Sequence, residues 1–299
     1  MTETHPSRTK IILAFLAIYL IWGSTYLAIK VAVTSFPPFF MAGTRFITAF
    51  LILGGWAWYQ GAQLPTWPQV RSTLVIGLLL LLGGNGAVCW AEQKVDSGFA
   101  ALIITSTPLF MVLIDRIGPA KKKLHPPVMG GIFLGFLGII FLVGPEKLAD
   151  YEHLNLAGIA ALIFATASWA AGSIYSRHNP LPANQNLNSA MQMLFGGFFL
   201  MSFSVISGEY ASASLASVTP EGWLSWAYLV IFGSVIGFSA FVFLLKWSTP
   251  AKVSTYAYVN PIVAVLLGYF ILGEPLTLNM LIGGGIIVLS VIIITKFKE

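Results

Sequence analysis

The side chains of this chain that could do chemistry lie inside long apolar runs, where a polar group without a partner is costly. Tyr256 and Asn260 are four residues apart, so they share one face of a helix. Together they offer donors and acceptors suited to a zwitterion or an amide. Trp22, Ser24 and Tyr26 form a second set within WGSTY (22–26), and Trp169 and Ser173, again four apart, form a third. Tryptophan in a membrane helix usually marks the headgroup belt. Trp22 and Trp169 lie too deep in their apolar runs for that and read as an aromatic cavity wall. Asn85, within GGNG (83–86), and Thr107 complete the candidate binding residues. Each has a plainer alternative. Tyr256 and Asn260 could join helices, the tryptophans could pack, and Asn85 could serve a neighbouring backbone where glycines let helices approach. The spacings leave both readings open.

Arg45 is the one basic residue well inside an apolar run. With Glu92, Asp96 and Glu146 expected on its side, it reads as a structural anchor rather than a ligand. Every Asp and Glu falls at a helix end, in a loop or at a terminus. Glu92 comes nearest to the interior, and the expectation is that no deep carboxylate exchanges protons. The four histidines sit in termini or loops, away from cysteine or carboxylate at ligand spacing, so no metal is expected. No phosphate-cradling glycine loop or serine nucleophile elbow occurs, so neither cofactor nor enzyme is expected. Cys89 is the only cysteine, which excludes a disulfide within the chain.

The elements that must position these residues follow from composition. Only 9% of 299 residues are charged, 57% are hydrophobic, and the mean hydropathy is +0.83. A soluble surface needs about 25% charged residues, so lipid must replace water over most of the exterior. The net charge of +5 is carried by residues scattered between apolar segments, which fits headgroups and topology and points to no nucleic acid. Apolar segments run over 11–31, 38–59, 73–91, 98–115, 127–144, 156–176, 187–207, 223–245, 252–273 and 277–296. Ten membrane helices are therefore expected, the fourth and fifth shortest and the seventh most polar. The first is an uncleaved helix rather than a signal peptide, because its apolar core is too long. With this alternation, 12 of the 16 Lys and Arg fall on the side of the N-terminus and Lys30, Lys94 and Lys147 on the other. That bias places both termini in the cytoplasm.

The chain also repeats. SGFAALIITSTPLFMVLI (97–114) aligns with PAKVSTYAYVNPIVAVLL (250–267), superposing Pro108 on Pro261, and WGSTY aligns with AGSIY (171–175) at a nearly equal shift. Two five-helix halves, 11–144 and 156–296, are expected. An odd helix number makes the second copy enter the membrane from the opposite face. Pro108 and Pro261 are then paired hinge candidates, with static kinks as the alternative. The glycine pairs Gly131/Gly135 and Gly233/Gly237 read as packing faces.

These segments, with the arginine of MAGTRF (41–46), SWAAGSIYSR (168–177) and STYAYVNPIVAVLLGYFILGE (254–274), resemble the drug/metabolite transporter superfamily in its ten-helix EamA-type branch. The resemblance covers nearly the whole chain in order. It implies an all-α integral inner-membrane protein, a central cavity between two EamA-like halves, and export of amino acids or related metabolites. The expected partners are a small-molecule substrate and the bilayer; a single chain could suffice, and the sequence sets no oligomeric state. The scarcity of buried cations argues against phosphate-bearing cargo. A multidrug exporter is the alternative carrier. A membrane enzyme lacks the clustered polar residues it would need, and a passive channel lacks a continuous polar lining.

Overall fold

The computed structural model describes residues 6–117, 126–143, 155–248, 253 and 255–297. Lys121, Lys122, Lys123, Glu146, Lys147, Lys252 and Lys298, which entered the charge arguments above, lie outside the described residues. Every regular element among the described residues is helical. The first half carries α1 (Arg8–Ala32), α2 (Pro38–Tyr59), α3 (Trp67–Ala91), α4 in two pieces (Ser97–Ile104 and Thr107–Ile117) and α5 (Pro126–Val143). The second carries α6 (Leu156–His178), α7 (Gln185–Ile206), α8 (Pro220–Trp247), α9 (Tyr256–Leu267, extended by Gly268–Leu272) and α10 (Leu278–Phe297). Among the described residues α1, α2, α3, α6, α7 and α8 are long and apolar enough to cross a membrane, and α4, α5, α9 and α10 hold shorter apolar stretches. Large apolar side chains such as Leu13, Trp58, Phe133, Phe198 and Phe270 point away from the protein, as a lipid-facing exterior requires.

Local chemistry sets the boundaries. α3 and α8 both start behind a threonine and a proline in the first turn: Thr66 with Pro68, and Thr219 with Pro220. Asn155 and Asn184 accept backbone N–H groups at the starts of α6 and α7. Midway along, α3 and α8 loosen into π-helix over Gly77–Gly86 and Leu229–Phe238. Such turns are rare and occur often at functional sites. α4 breaks at Thr105 and Ser106, just before Pro108, whereas Pro261 lies within an unbroken α9.

Helices pair across the halves. α2 and α7 run antiparallel, with Gln60 after α2 accepting from Asn186 Nδ2 (3.0 Å) at the start of α7. Glu209 after α7 accepts the Phe39 and Phe40 N–H groups (3.0 and 3.4 Å) at the start of α2. α5 packs on α10, where Ser290 Oγ donates to the Gly131 carbonyl (2.7 Å) and a side chain at Gly135 would strike Leu109 and Ser290. α1 lies against α8 and α9, and α6 lies against α3 and the second piece of α4. The centre of the molecule is thus enclosed by helices from both halves.

Candidate functional site

A cavity of about 90 Å³ occupies that centre. From the first half its walls are Trp22, Thr25, Tyr26 and Ile29 on α1, Arg45 and Phe46 on α2, and Leu81, Gly84, Asn85 and Val88 on α3. Ile104 and Thr107 reach it from either side of the α4 break. From the second half come Ala165 and Trp169 on α6, Gly233 and Phe238 on α8, and Tyr256 and Asn260 on α9. The two π-helical segments therefore both reach the wall.

Seven of the nine candidate binding residues line this space: Trp22, Tyr26, Asn85, Thr107, Trp169, Tyr256 and Asn260. Ser24 and Ser173 do not. Ser24 Oγ bonds the Tyr228 hydroxyl (2.6 Å) and the Ile21 carbonyl, joining α1 to α8. Ser173 Oγ returns to the Trp169 carbonyl one turn back (2.8 Å). Asn260 has a structural share as well: with its amide oriented to suit the surrounding network, its nitrogen donates to the carbonyls of Tyr19 (3.0 Å), Ile18 (3.1 Å) and Tyr256 (3.2 Å). It locks α9 to α1 at the cavity wall. Thr107 Oγ1 is engaged by the Ile104 carbonyl, and Asn85 Oδ1 faces the Cys89 thiol at 3.6 Å. The glycines flanking Asn85 seat α3 on α6: a Cβ at Gly84 would lie 3.0 Å from the Trp169 ring, and one at Gly83 would strike the Ser168 hydroxyl.

Four rings close one end of the cavity. Trp22 meets Phe241, Tyr256 and Trp169 with centroids 5.0, 5.4 and 5.8 Å apart. Phe241 also lies 6.0 Å from both Trp169 and Tyr256. The edge-to-face pairs among them are the arrangement that ring quadrupoles favour. Beyond Phe241 a second space of about 270 Å³ opens, bordered by Gln192, Arg177 and Lys246. Trp22 is held by its indole N–H, which donates to the Gly233 carbonyl (3.2 Å). A side chain at Gly237 would come within 2.9 Å of that indole, so the Gly233/Gly237 face makes room for the ring.

Arg45 sits differently from the expectation of a carboxylate partner. It is buried (3% exposed), its Nε donates to Ser234 Oγ on α8 (2.8 Å), and Nη1 has no hydrogen-bond partner. It lines the cavity, whose wall therefore carries one cation. Phe241, Thr25 and Phe238 were not singled out in the sequence. Only the place of Thr25 within WGSTY could have pointed to any of them.

The comparisons with known proteins agree with this architecture. The model of the EamA-like transporter family matches residues 9–144 and again 156–296. The inner membrane transporter YedA of Escherichia coli K12 is 39% identical over 95% of this chain and 90% of its own. A probable amino-acid metabolite efflux pump of Salmonella typhimurium LT2 is 26% identical over 94% and 93% of the two chains. A solved crystal structure at 20% identity superposes with a TM-score of 0.67 over 97% of this chain and 98% of its own, which fixes the fold alone. This chain belongs to the EamA-like transporter family of the drug/metabolite transporter superfamily and is a multi-pass membrane protein.

Proposed function

We propose that the protein is an alternating-access carrier that exports neutral, chiefly apolar or aromatic, amino acids or similar metabolites. Ten helices cross the membrane as two inverted five-helix repeats, 11–144 and 156–296, with both termini cytoplasmic. The observation that carries this reading is a cavity walled by both halves and closed by rings at one end. Three features support the repeat. The family model matches twice. The π-helical segments of α3 and α8 begin at Gly77 and Leu229, the same spacing that separates the paired starts of α5 and α10. The reciprocal contacts of Gln60 and Glu209 relate α2 and α7 as an inverted pair. In the proposed topology the four-ring layer faces the cytoplasm, and the end carrying Lys30 and Glu92 faces outward.

The wall chemistry selects the cargo. A single guanidinium with a free Nη1 suits one carboxylate, whereas phosphate-bearing cargo needs several cations. The same cation disfavours lipophilic cations, so the multidrug alternative loses ground. Tryptophan and tyrosine faces accept an apolar or aromatic side chain. The Salmonella relative's description as a probable amino-acid metabolite efflux pump points the same way. A cavity of about 90 Å³ holds water but is smaller than the roughly 150 Å³ that admits benzene, so an aromatic cargo requires the walls to part. The α4 break before Pro108 is one place where they could; Pro261, in its unbroken helix, would act by a smaller bend.

The test is counterflow in proteoliposomes with a panel of labelled amino acids. At least one neutral amino acid should exchange, and Trp169→Ala and Asn260→Ala should each lower its rate by about tenfold or more, as expected for losing a contact worth about 1.4 kcal/mol. Unchanged rates in both folded variants would reject the cavity as the pathway.

A further inference from the structure

The cavity-facing stripe of α3 runs through Leu81, Asn85 and Val88 and, one turn further, reaches Glu92. On α1 the stripe through Trp22 and Tyr26 reaches Lys30 in the same way. These two residues therefore sit over the end of the cavity opposite the four rings. Glu92 is fully buried (0% exposed), and neither carboxyl oxygen has a hydrogen-bond partner. Lys30 does not supply one. Its ammonium donates to the backbone carbonyls of Glu92 and Val95, both at 2.8 Å.

The same face shows how this chain satisfies a carboxylate when it holds one. Glu274, also buried, accepts the Ser97 N–H (2.8 Å), the Ser97 hydroxyl (2.8 Å) and the Gly98 N–H (3.1 Å). Glu92 has none of this. The charged and titratable groups around it are Lys30 and Tyr26 from α1, Cys89 from its own helix and Glu274 from the turn after α9. Lys30 favours the ionised form and Glu274 opposes it. α6, which packs against the end of α3, carries its titratable groups Tyr175, Arg177 and His178 at its far end. An ionised carboxylate without a donor in a dry site costs several kcal/mol, and one cation out of contact does not return it. The neutral acid is the form that fits.

We propose that Glu92 is a proton-binding site coupled to the outer opening of the cavity. It holds a proton while that end is shut, as in this structure. When water enters, the proton leaves to the outer solution and the carboxylate pairs with Lys30. With the proton replaced from the cytoplasm through the inward-open cavity, each cycle carries one proton outward beside the cargo, against the expectation from the sequence that no deep carboxylate exchanges protons. The cargo half of this statement rests on the carrier reading above; the proton half does not.

The test separates the two. Infrared spectra of the purified protein, without any cargo, should show the carbonyl stretch of a protonated carboxylic acid at neutral pH, shifted by heavy water and missing from Glu92→Gln. Lys30→Met should move the disappearance of that band to higher pH. A difference spectrum without the band overturns the proposal, and so does a titration that Lys30→Met leaves unmoved, which decides the matter should Glu92→Gln not fold. In proteoliposomes, net efflux of labelled L-phenylalanine should respond to an imposed pH gradient in the native protein and not in Glu92→Gln. The band together with gradient-independent flux overturns the coupling. The band with no L-phenylalanine movement at all upholds the proton site and refutes the cargo.

Discussion

The two ends of the central cavity are closed by different forces. At one end Trp22, Trp169, Phe241 and Tyr256 meet ring to ring, with the Trp22 N–H tied to a backbone carbonyl. Such a closure is held by dispersion and apolar burial, and no charge has to be dehydrated. At the other end Glu92 and Glu274 are buried, Glu274 against the start of α4, and the half-buried Lys30 donates to backbone carbonyls. That closure depends on where protons and ions are. A carrier needs two gates that do not open together, and unlike closures allow them to answer to unlike signals.

The comparison breaks most severely at Glu274. Its carboxylate satisfies the first N–H groups of α4 and the Ser97 hydroxyl. Glu274→Ala leaves these donors buried and unmet, at a cost of about 3 kcal/mol, because each unsatisfied buried group costs about 1–3 kcal/mol. A fall in the detergent melting temperature checks this, with Glu274→Gln losing clearly less. A melting temperature unchanged in Glu274→Ala would mean that the charged end is not held by this cap. At the aromatic end Phe241→Ala removes a ring that touches three others. Each aromatic pair is worth about 0.5–1.5 kcal/mol, so opening toward the larger space beyond Phe241 should become at least about tenfold more frequent. With Cys89 replaced by alanine, a thiol reagent applied from the N-terminal side should label Asn85→Cys faster in the Phe241→Ala background. Equal labelling rates would show that the rings do not close that end.

The helices were legible in the sequence because hydrophobic length is set by the bilayer itself. The apolar segments fall on the described helices, with Pro38, Thr66 and Thr219 marking starts. Trp22, Trp169, Tyr256 and Asn260 could be found because polar and aromatic groups in mid-helix stand out against aliphatic neighbours. The rest was not legible for physical reasons. Phe241 is one phenylalanine among 22, and nothing local distinguishes a ring in the four-ring layer from one facing lipid. Ser24 and Ser173 share helix positions with cavity residues, yet their hydroxyls turn to Tyr228 and to a backbone carbonyl, a choice made by the neighbouring helix. For Arg45 the sequence offered carboxylates as partners, but not Ser234, which the π-helical segment of α8 brings to its guanidinium. Glu92 lies just past the last residue of α3, where sequence alone cannot tell a hydrated end from a sealed one.

Two smaller effects sharpen the contrast. Trp22→Phe keeps a ring in the aromatic layer but loses the bond to the Gly233 carbonyl. It should cost about 1 kcal/mol, the net value of one such bond, and should not change the pH dependence of stability. A pH-dependent loss would mean that the aromatic end is electrostatically tied to the charged one.

The smallest expected effect is at Glu209, in the short helix after α7. It lies outside the membrane-spanning helices and is half-buried against the start of α2. Burial pushes its carboxyl above the usual range, and the N–H groups of Phe39 and Phe40 pull it partly back. A carboxyl raised on folding binds protons more readily in the folded state. Its contribution to stability is therefore greatest below the unfolded value and declines as pH rises through the folded one. Glu209→Gln removes that decline while keeping an oxygen to accept the α2 N–H groups. The variant should gain stability relative to the native protein on going from acid to neutral pH, by less than about 1 kcal/mol because the group is partly solvated. Gln60, which holds the start of α7 in the reciprocal position, is already neutral. It is exposed, so its replacement by Glu lacks the burial that raises Glu209 and, beside the N-terminus of α7, should introduce a shallow slope of the opposite sign. Melting curves of both variants across that range check the pair, and a slope at Glu209 in the opposite direction would mean that the α2 N-terminus stabilises the ionised form more than burial opposes it.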